Sequence, residues 1–145
     1  DEPVLYATAG NDHSMIHATA QVPPRRGFAL IDLFAKQGFA SKLGGGGIFL
    51  TQCVAFIKDQ ERSADRIIVL TDEQDCDQDS ERATSKAQTL AEHAYIINVA
   101  GYKTGVAAHG KWTRVSGFSE RVVDWMMAEE GVTLGVAQED EETAQ

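Results

Sequence analysis

The densest group of side chains able to do chemistry lies in Arg66 to Asp79, where the aliphatic run Ile67-Ile68-Val69-Leu70 breaks into Thr71-Asp72-Glu73 and then Asp75, Asp77 and Asp79. A carboxylate placed abruptly after an apolar run can hold a hard cation such as Mg²⁺, accept a phosphoryl group, or cap the following turn. The D-x-D-x-D phrasing is that of a calcium loop without its glycine and terminal glutamate, so calcium is set aside. A phospho-acceptor would need a second acidic cluster at an earlier strand end, and none is present. Asp72 is therefore the candidate ligand, with Glu73 beside it. The histidines supply no constellation: His13 and His17 fall on one strand pattern without a third ligand, and His93 and His109 have no nameable partners.

The second stretch with chemical potential is the glycine run Gly44 to Gly47, leading into Ile48 and a helical pattern. Glycine permits close backbone approach, and a helix start offers free N–H groups to an anion or metal-bound ligand. No Lys-Ser/Thr pair follows, so the run is not a phosphate loop and its signal for a nucleotide is weak, and ligand loop and plain connector stand level. Arg25 and Arg26 after Pro23-Pro24 offer charge to a partner, or form a solvated corner.

Composition bounds the class. The chain has 145 residues, 43% hydrophobic and 24% charged, enough for one domain with a core. With 22 acidic against 13 basic residues the formal charge is −9, which argues against this chain alone gripping nucleic acid. The acidic end, residues 137–145, reads as a solvated tail, leaving residues 1–136 as the domain. Cys53 and Cys76 lack C-x-x-C spacing and read as free thiols of a reducing cytosol. No apolar stretch reaches membrane-spanning length and no signal peptide opens the chain, so a soluble, cytoplasmic protein is expected.

The elements that must position these residues follow from periodicity. Val4 to Ala9 and Ser14 to Val22, separated by Gly10-Asn11-Asp12, predict an antiparallel hairpin that Pro23-Pro24 ends. Phe28, Leu30, Ile31, Phe34 and Ala35 predict a helix over Phe28 to Gln37, stopped at Gly38. Ile48, Phe49, Cys53, Val54, Phe56 and Ile57 predict another. The unbroken run Ile67 to Leu70 predicts a parallel strand covered on both faces, which places Asp72 at the carboxyl end where such sheets bind ligands. Ser80 to Ala91 reads as a helix capped by Ser80, and Ala94 to Val99 as a second buried strand, giving a βαβ unit. The loop Ala100 to Gly110 carries Tyr102, Lys103 and His109. A short strand over Lys111 to Val115 follows, then a helix capped by Ser119 with Val122, Val123, Trp125 and Met126 on its apolar face. The fold class is α/β: a doubly wound, mostly parallel sheet with flanking helices.

In combination these features resemble the von Willebrand factor A domain, and more narrowly the A domain of bacterial Ro autoantigen (TROVE) proteins. The residues carrying the resemblance are Val22-Pro23-Pro24-Arg25-Arg26-Gly27-Phe28-Ala29-Leu30, Arg66 through Gln74, Ile97-Asn98-Val99-Ala100, and Trp112-Thr113 with Gly117-Phe118-Ser119-Glu120. The resemblance implies a metal-ion-dependent adhesion site with ligands from three loops: a D-x-S-x-S after the first strand, a threonine after a glycine turn, and a later aspartate. Asp72 matches the third. The threonine position after Gly46-Gly47 is Ile48, which offers no oxygen, and Thr51 one turn on would have to substitute. No D-x-S-x-S is present, so the sheet is expected to lack its first central strand and to be completed by a protein partner or by an amino-terminal part of the same protein. The resemblance further implies a non-enzymatic interaction module with Mg²⁺ at an incomplete site, Arg25, Arg26 and Tyr102 on a partner surface, and RNA held only by a separate helical-repeat domain. The alternative is a Mg²⁺-dependent, phosphate-processing α/β enzyme or a phospho-acceptor domain using Asp72.

Overall fold

The structure is a computed structural model that describes residues 3–11, 13, 16–35, 43, 45–74, 91–100 and 112–132. Strands β1 (Tyr6–Asn11) and β2 (Ile16–Gln21) form the expected antiparallel hairpin, with Tyr6 opposite Gln21 and Asn11 opposite Ile16. Pairing runs through Gly10 and Asn11, two residues the sequence assigns to the turn. Helix α1 spans Phe28–Ala35; its expected extension to Gln37 and stop at Gly38 lie outside the described residues. Helix α2 is Leu50–Gln60. Strands β3 (Ala64–Thr71), β4 (Ala91–Asn98) and β5 (Trp112–Ser116) form a parallel sheet in the order β3-β4-β5, and α3 (Arg121–Glu129) closes the described chain.

This is an α/β architecture with a three-stranded parallel sheet between helices, compatible with a Rossmann-like fold. One face is filled by Leu50 and Val54 of α2 against Ala94, Ile96 and Trp112, with Ile67 and Val69 at its margin. The other packs Tyr95 and Ile97 against Val122 and Met126 of α3, with Val115 alongside. Consecutive residues of β4 thus serve opposite layers, as strand geometry requires, and β4 is the strand buried on both faces.

Several expectations are corrected. Strand β3, expected to be covered on both sides, lies at the edge of the sheet formed by the described residues: Ile68 is 43% and Leu70 57% exposed, while their register partners Tyr95 and Ile97 are 2% and 1%. Helix α1 buries only Leu33, leaving Phe28 87% exposed, so the wide apolar face read from its spacing is mostly uncovered by the described residues. Ala91 opens β4 instead of ending a helix, and the rest of the expected Ser80 helix lies outside the described residues. Helix α3 takes Glu120 as its N-cap with no side-chain cap bond; Ser119 contributes only its carbonyl, to the Val122 N–H at 3.1 Å. Of the α3 apolar residues, Val122 and Met126 are buried and Val123 and Trp125 stay exposed, because a single layer contacts one stripe of a helix.

Two polar clamps fix the layers. At the end of α3, the Gly131 N–H reaches the Ala128 carbonyl and the Val132 N–H reaches the Met127 carbonyl, with Gly131 at φ +71°. This pair of hydrogen bonds closes the helix through a left-handed glycine. It sets Glu130 at the helix end, where both carboxylate oxygens accept from Arg66 of β3 and one also accepts from the Tyr95 hydroxyl at 2.8 Å. The Arg66 guanidinium holds the Glu130 carboxyl down to about 2, and burial together with Glu130 pushes the Tyr95 phenol up to about 12. At the hairpin, the Tyr6 hydroxyl donates to Glu61 at 2.6 Å and its ring meets Phe56 edge-on. Burial and that carboxylate push Tyr6 up to about 12 and tie β1 to the end of α2.

Among the described residues no helix is long and apolar enough to cross a membrane.

Candidate functional site

The carboxyl ends of the three parallel strands carry a polar row: Thr71 pairs with Asn98, which pairs with Ser116. The Val99 N–H donates to the Thr71 carbonyl and the Gly117 N–H to the Asn98 carbonyl, so pairing continues to the last residues and the ends are held level. Asp72 to Gln74 rises from this row.

The two acids of that turn have opposite fates. Asp72 is half-buried, and one carboxylate oxygen accepts the Gln74 N–H at 3.2 Å, an Asx turn. Glu73, expected beside it in a ligand loop, points inward and is 1% exposed. Its Oε2 accepts from Arg114 of β5 at 2.9 Å, its Oε1 from the Asn98 amide of β4 at 3.3 Å, and its own N–H donates to the Thr71 hydroxyl at 2.9 Å. Glu73 sits at φ +63°, a left-handed conformation costly for a side chain bearing a Cβ. A buried carboxylate is tolerated because a cation and an amide meet it, and those contacts hold the backbone in its unfavourable well. Asn98 and Arg114 are site residues that the linear reading did not assign. The available signals were an amide ending an apolar strand and an arginine inside an otherwise uncharged one.

The glycine run has a steric reason that neither ligand loop nor connector supplies. A Cβ on Gly45 would lie 2.1 Å from the Gly10 carbonyl oxygen, and the Gly47 N–H donates to that same oxygen at 2.9 Å. Gly47 thus forms a bridge to β1, and only a residue without a side chain fits at Gly45. Gly46 is exposed with open space around it, Ile48 is half-buried, and Phe49, wholly buried, stands as the N-cap of α2 without a side-chain cap bond. Thr51 lies half-buried in the first turn of that helix.

Arg25 and Arg26 are exposed between β2 and α1, and His17 bonds Thr19 within β2. Cys53 is buried and outside any disulfide. Tyr102, Lys103, His109, Cys76, Asp75, Asp77, Asp79 and the acidic tail lie outside the described residues.

The donor set fits a divalent cation incompletely. Among the described residues no three of His, Cys, Asp and Glu converge on a point. Asp72 brings one carboxylate already engaged in a turn, Glu73 is neutralised internally, and Ile48 supplies no oxygen. What the arrangement does is present one carboxylate at the rim of a rigid sheet end. The chain matches no protein-family model, no curated protein and no solved structure.

Proposed function

We propose that the chain is a non-enzymatic interaction module, an A-type domain of a Ro/TROVE-like ribonucleoprotein, with a degenerate cation site at the carboxyl end of its parallel sheet. The observation that carries this reading is the division of labour between Asp72, directed to the rim, and Glu73, consumed by Arg114 and Asn98 within the fold. The resemblance supplies the rest: a cytoplasmic ribonucleoprotein, RNA bound by a separate helical-repeat domain, Mg²⁺ as the cation, and Arg25, Arg26 and Tyr102 facing a protein partner.

Calorimetric titration with MgCl₂ tests the site. The expected result is weak binding, no tighter than about 1 mM as suits a site with few charged ligands, lost in Asp72→Ala. Micromolar binding that survives Asp72→Ala would remove Asp72 from the site. Turnover of p-nitrophenyl phosphate, or a hydroxylamine-labile acyl phosphate formed from acetyl phosphate, that disappears in Asp72→Ala would establish the enzymatic or phospho-acceptor alternative.

A further inference from the structure

A cleft of about 460 Å³ lies where β5 gives way to α3, at the strand end where parallel sheets place their ligands. Val115 and the buried Val122 line it together with Phe118 and Trp125, two aromatic side chains that stay exposed. Both are held in place. Gly117, at φ +88°, turns the chain before Phe118, and its N–H fixes that turn to the Asn98 carbonyl at 2.8 Å. The Trp125 ring stands edge-on to Tyr95, with centroids 6.3 Å apart. Aromatic side chains kept in water on a fixed frame lose little freedom when a ligand covers them, which is the character of a binding surface.

The charge of the cleft narrows what fits. Arg121 is the charged side chain that lines it, with Ser119 beside it, while the acids next to it in sequence, Glu120 and Asp124, do not line it. Among the described residues no carboxylate pairs with Arg121. A guanidinium beside apolar walls selects a ligand that brings an apolar body and an anionic oxygen pair together. The formal charge of −9 limits how much negative charge that ligand carries, because an acidic segment is repelled by the chain as a whole whereas a single carboxylate is not. A chain terminus meets both demands on one residue: its α-carboxylate stands beside its own side chain, whereas an internal Asp or Glu carries charge in place of an apolar group. We propose that the cleft between Phe118 and Trp125 receives the carboxyl terminus of a partner protein that ends in a large apolar residue, the side chain packing on Val115 and Trp125 and the α-carboxylate accepting from Arg121. The inference rests on the reading of the chain as an interaction module and names the chemistry of its partner. It needs no cation, so a null Mg²⁺ titration leaves it standing and its own failure leaves Asp72 untouched.

The probe is a short peptide ending in phenylalanine with a free carboxylate, titrated into the full chain in EDTA and followed by amide NMR shifts. The shifts are expected to centre on the turn from Ser116 to Arg121 and on Trp125. The same peptide amidated at its end should bind at least about tenfold more weakly, and Arg121→Gln should weaken binding of the free acid by a similar factor. Phe118→Ala should weaken acid and amide alike, since it removes a wall and not the charge. Arg121 and Phe118 are both exposed, so the urea midpoints of the two variants should stay with that of the unaltered chain. Four results would overturn the proposal: no shifts at about 2 mM peptide, equal affinity for acid and amide, affinity unchanged in Arg121→Gln, or N-acetylphenylalanine binding as tightly as the peptide, which would assign the cleft to a free small carboxylate.

Discussion

The turn after β3 shows how adjacent residues of one chemical type acquire different tasks. Asp72 and Glu73 carry the same carboxylate chemistry in the sequence, and their separation depends on Arg114 and Asn98, which arrive from two other strands. This sets a clear expectation. Arg114→Ala leaves the Glu73 carboxylate buried without its cation and should cost about 3–5 kcal/mol in urea unfolding. The double variant Glu73→Gln/Arg114→Met removes both charges and should cost distinctly less. Equal losses would mean that Arg114 acts through packing and not through the ion pair. The position of Asp72 at the strand end was legible from the break in the apolar run. The inward turn of Glu73 was not, because no linear pattern records which remote strand carries its partner.

At the scale of elements, the hairpin, α1, α2 and all three parallel strands were readable from periodicity and punctuation, with ends displaced by a few residues. What periodicity lacked was the surroundings of each element. Four consecutive aliphatic residues in β3 say that both faces can be buried, and only the neighbours decide whether they are. The strand that fulfils the description is β4. In the same way the glycine run had two readings in one dimension and acquires a third when β1 is seen against it. Gly45→Ala tests this: its Cβ meets a backbone carbonyl that cannot rotate away, so the variant should lose at least about 2 kcal/mol of stability. Gly46→Ala, placed in open space, should lose far less, both variants being compared with the unaltered chain by urea unfolding.

Across the whole molecule, the charge clamps give a signed pH response. The Glu130 carboxyl has a value of about 2 in the folded chain against an ordinary 4.5, and its side chain is nearly inaccessible. The stabilisation it brings is therefore complete above pH 4.5 and is lost as pH falls from there towards 2, a contribution on the order of 2–3 kcal/mol. Tyr6 and Tyr95 act at the opposite end: with folded values raised from 10.0 to about 12, their contribution holds below pH 10 and fades above it. Chemical denaturation from pH 2 to pH 8 should show the acid limb shrink markedly in Arg66→Met. A limb of unchanged size there would assign the acid response to other carboxylates.

The register of the sheets also orders events in time. The β1–β2 hairpin joins residues near one another in sequence, whereas Ala64 must find Ala91 and Ala94 must find Trp112 before either parallel ladder exists. Closing those longer loops costs chain entropy before any hydrogen bond repays it. Folding should therefore begin with the hairpin, while α2 waits for β4 to supply the apolar layer that Leu50 and Val54 need. During that interval the aliphatic run of β3 is a bare strand in solution. At high protein concentration it is the segment through which refolding chains would first pair with one another, so yield on refolding should fall with concentration well before the native state shows any association.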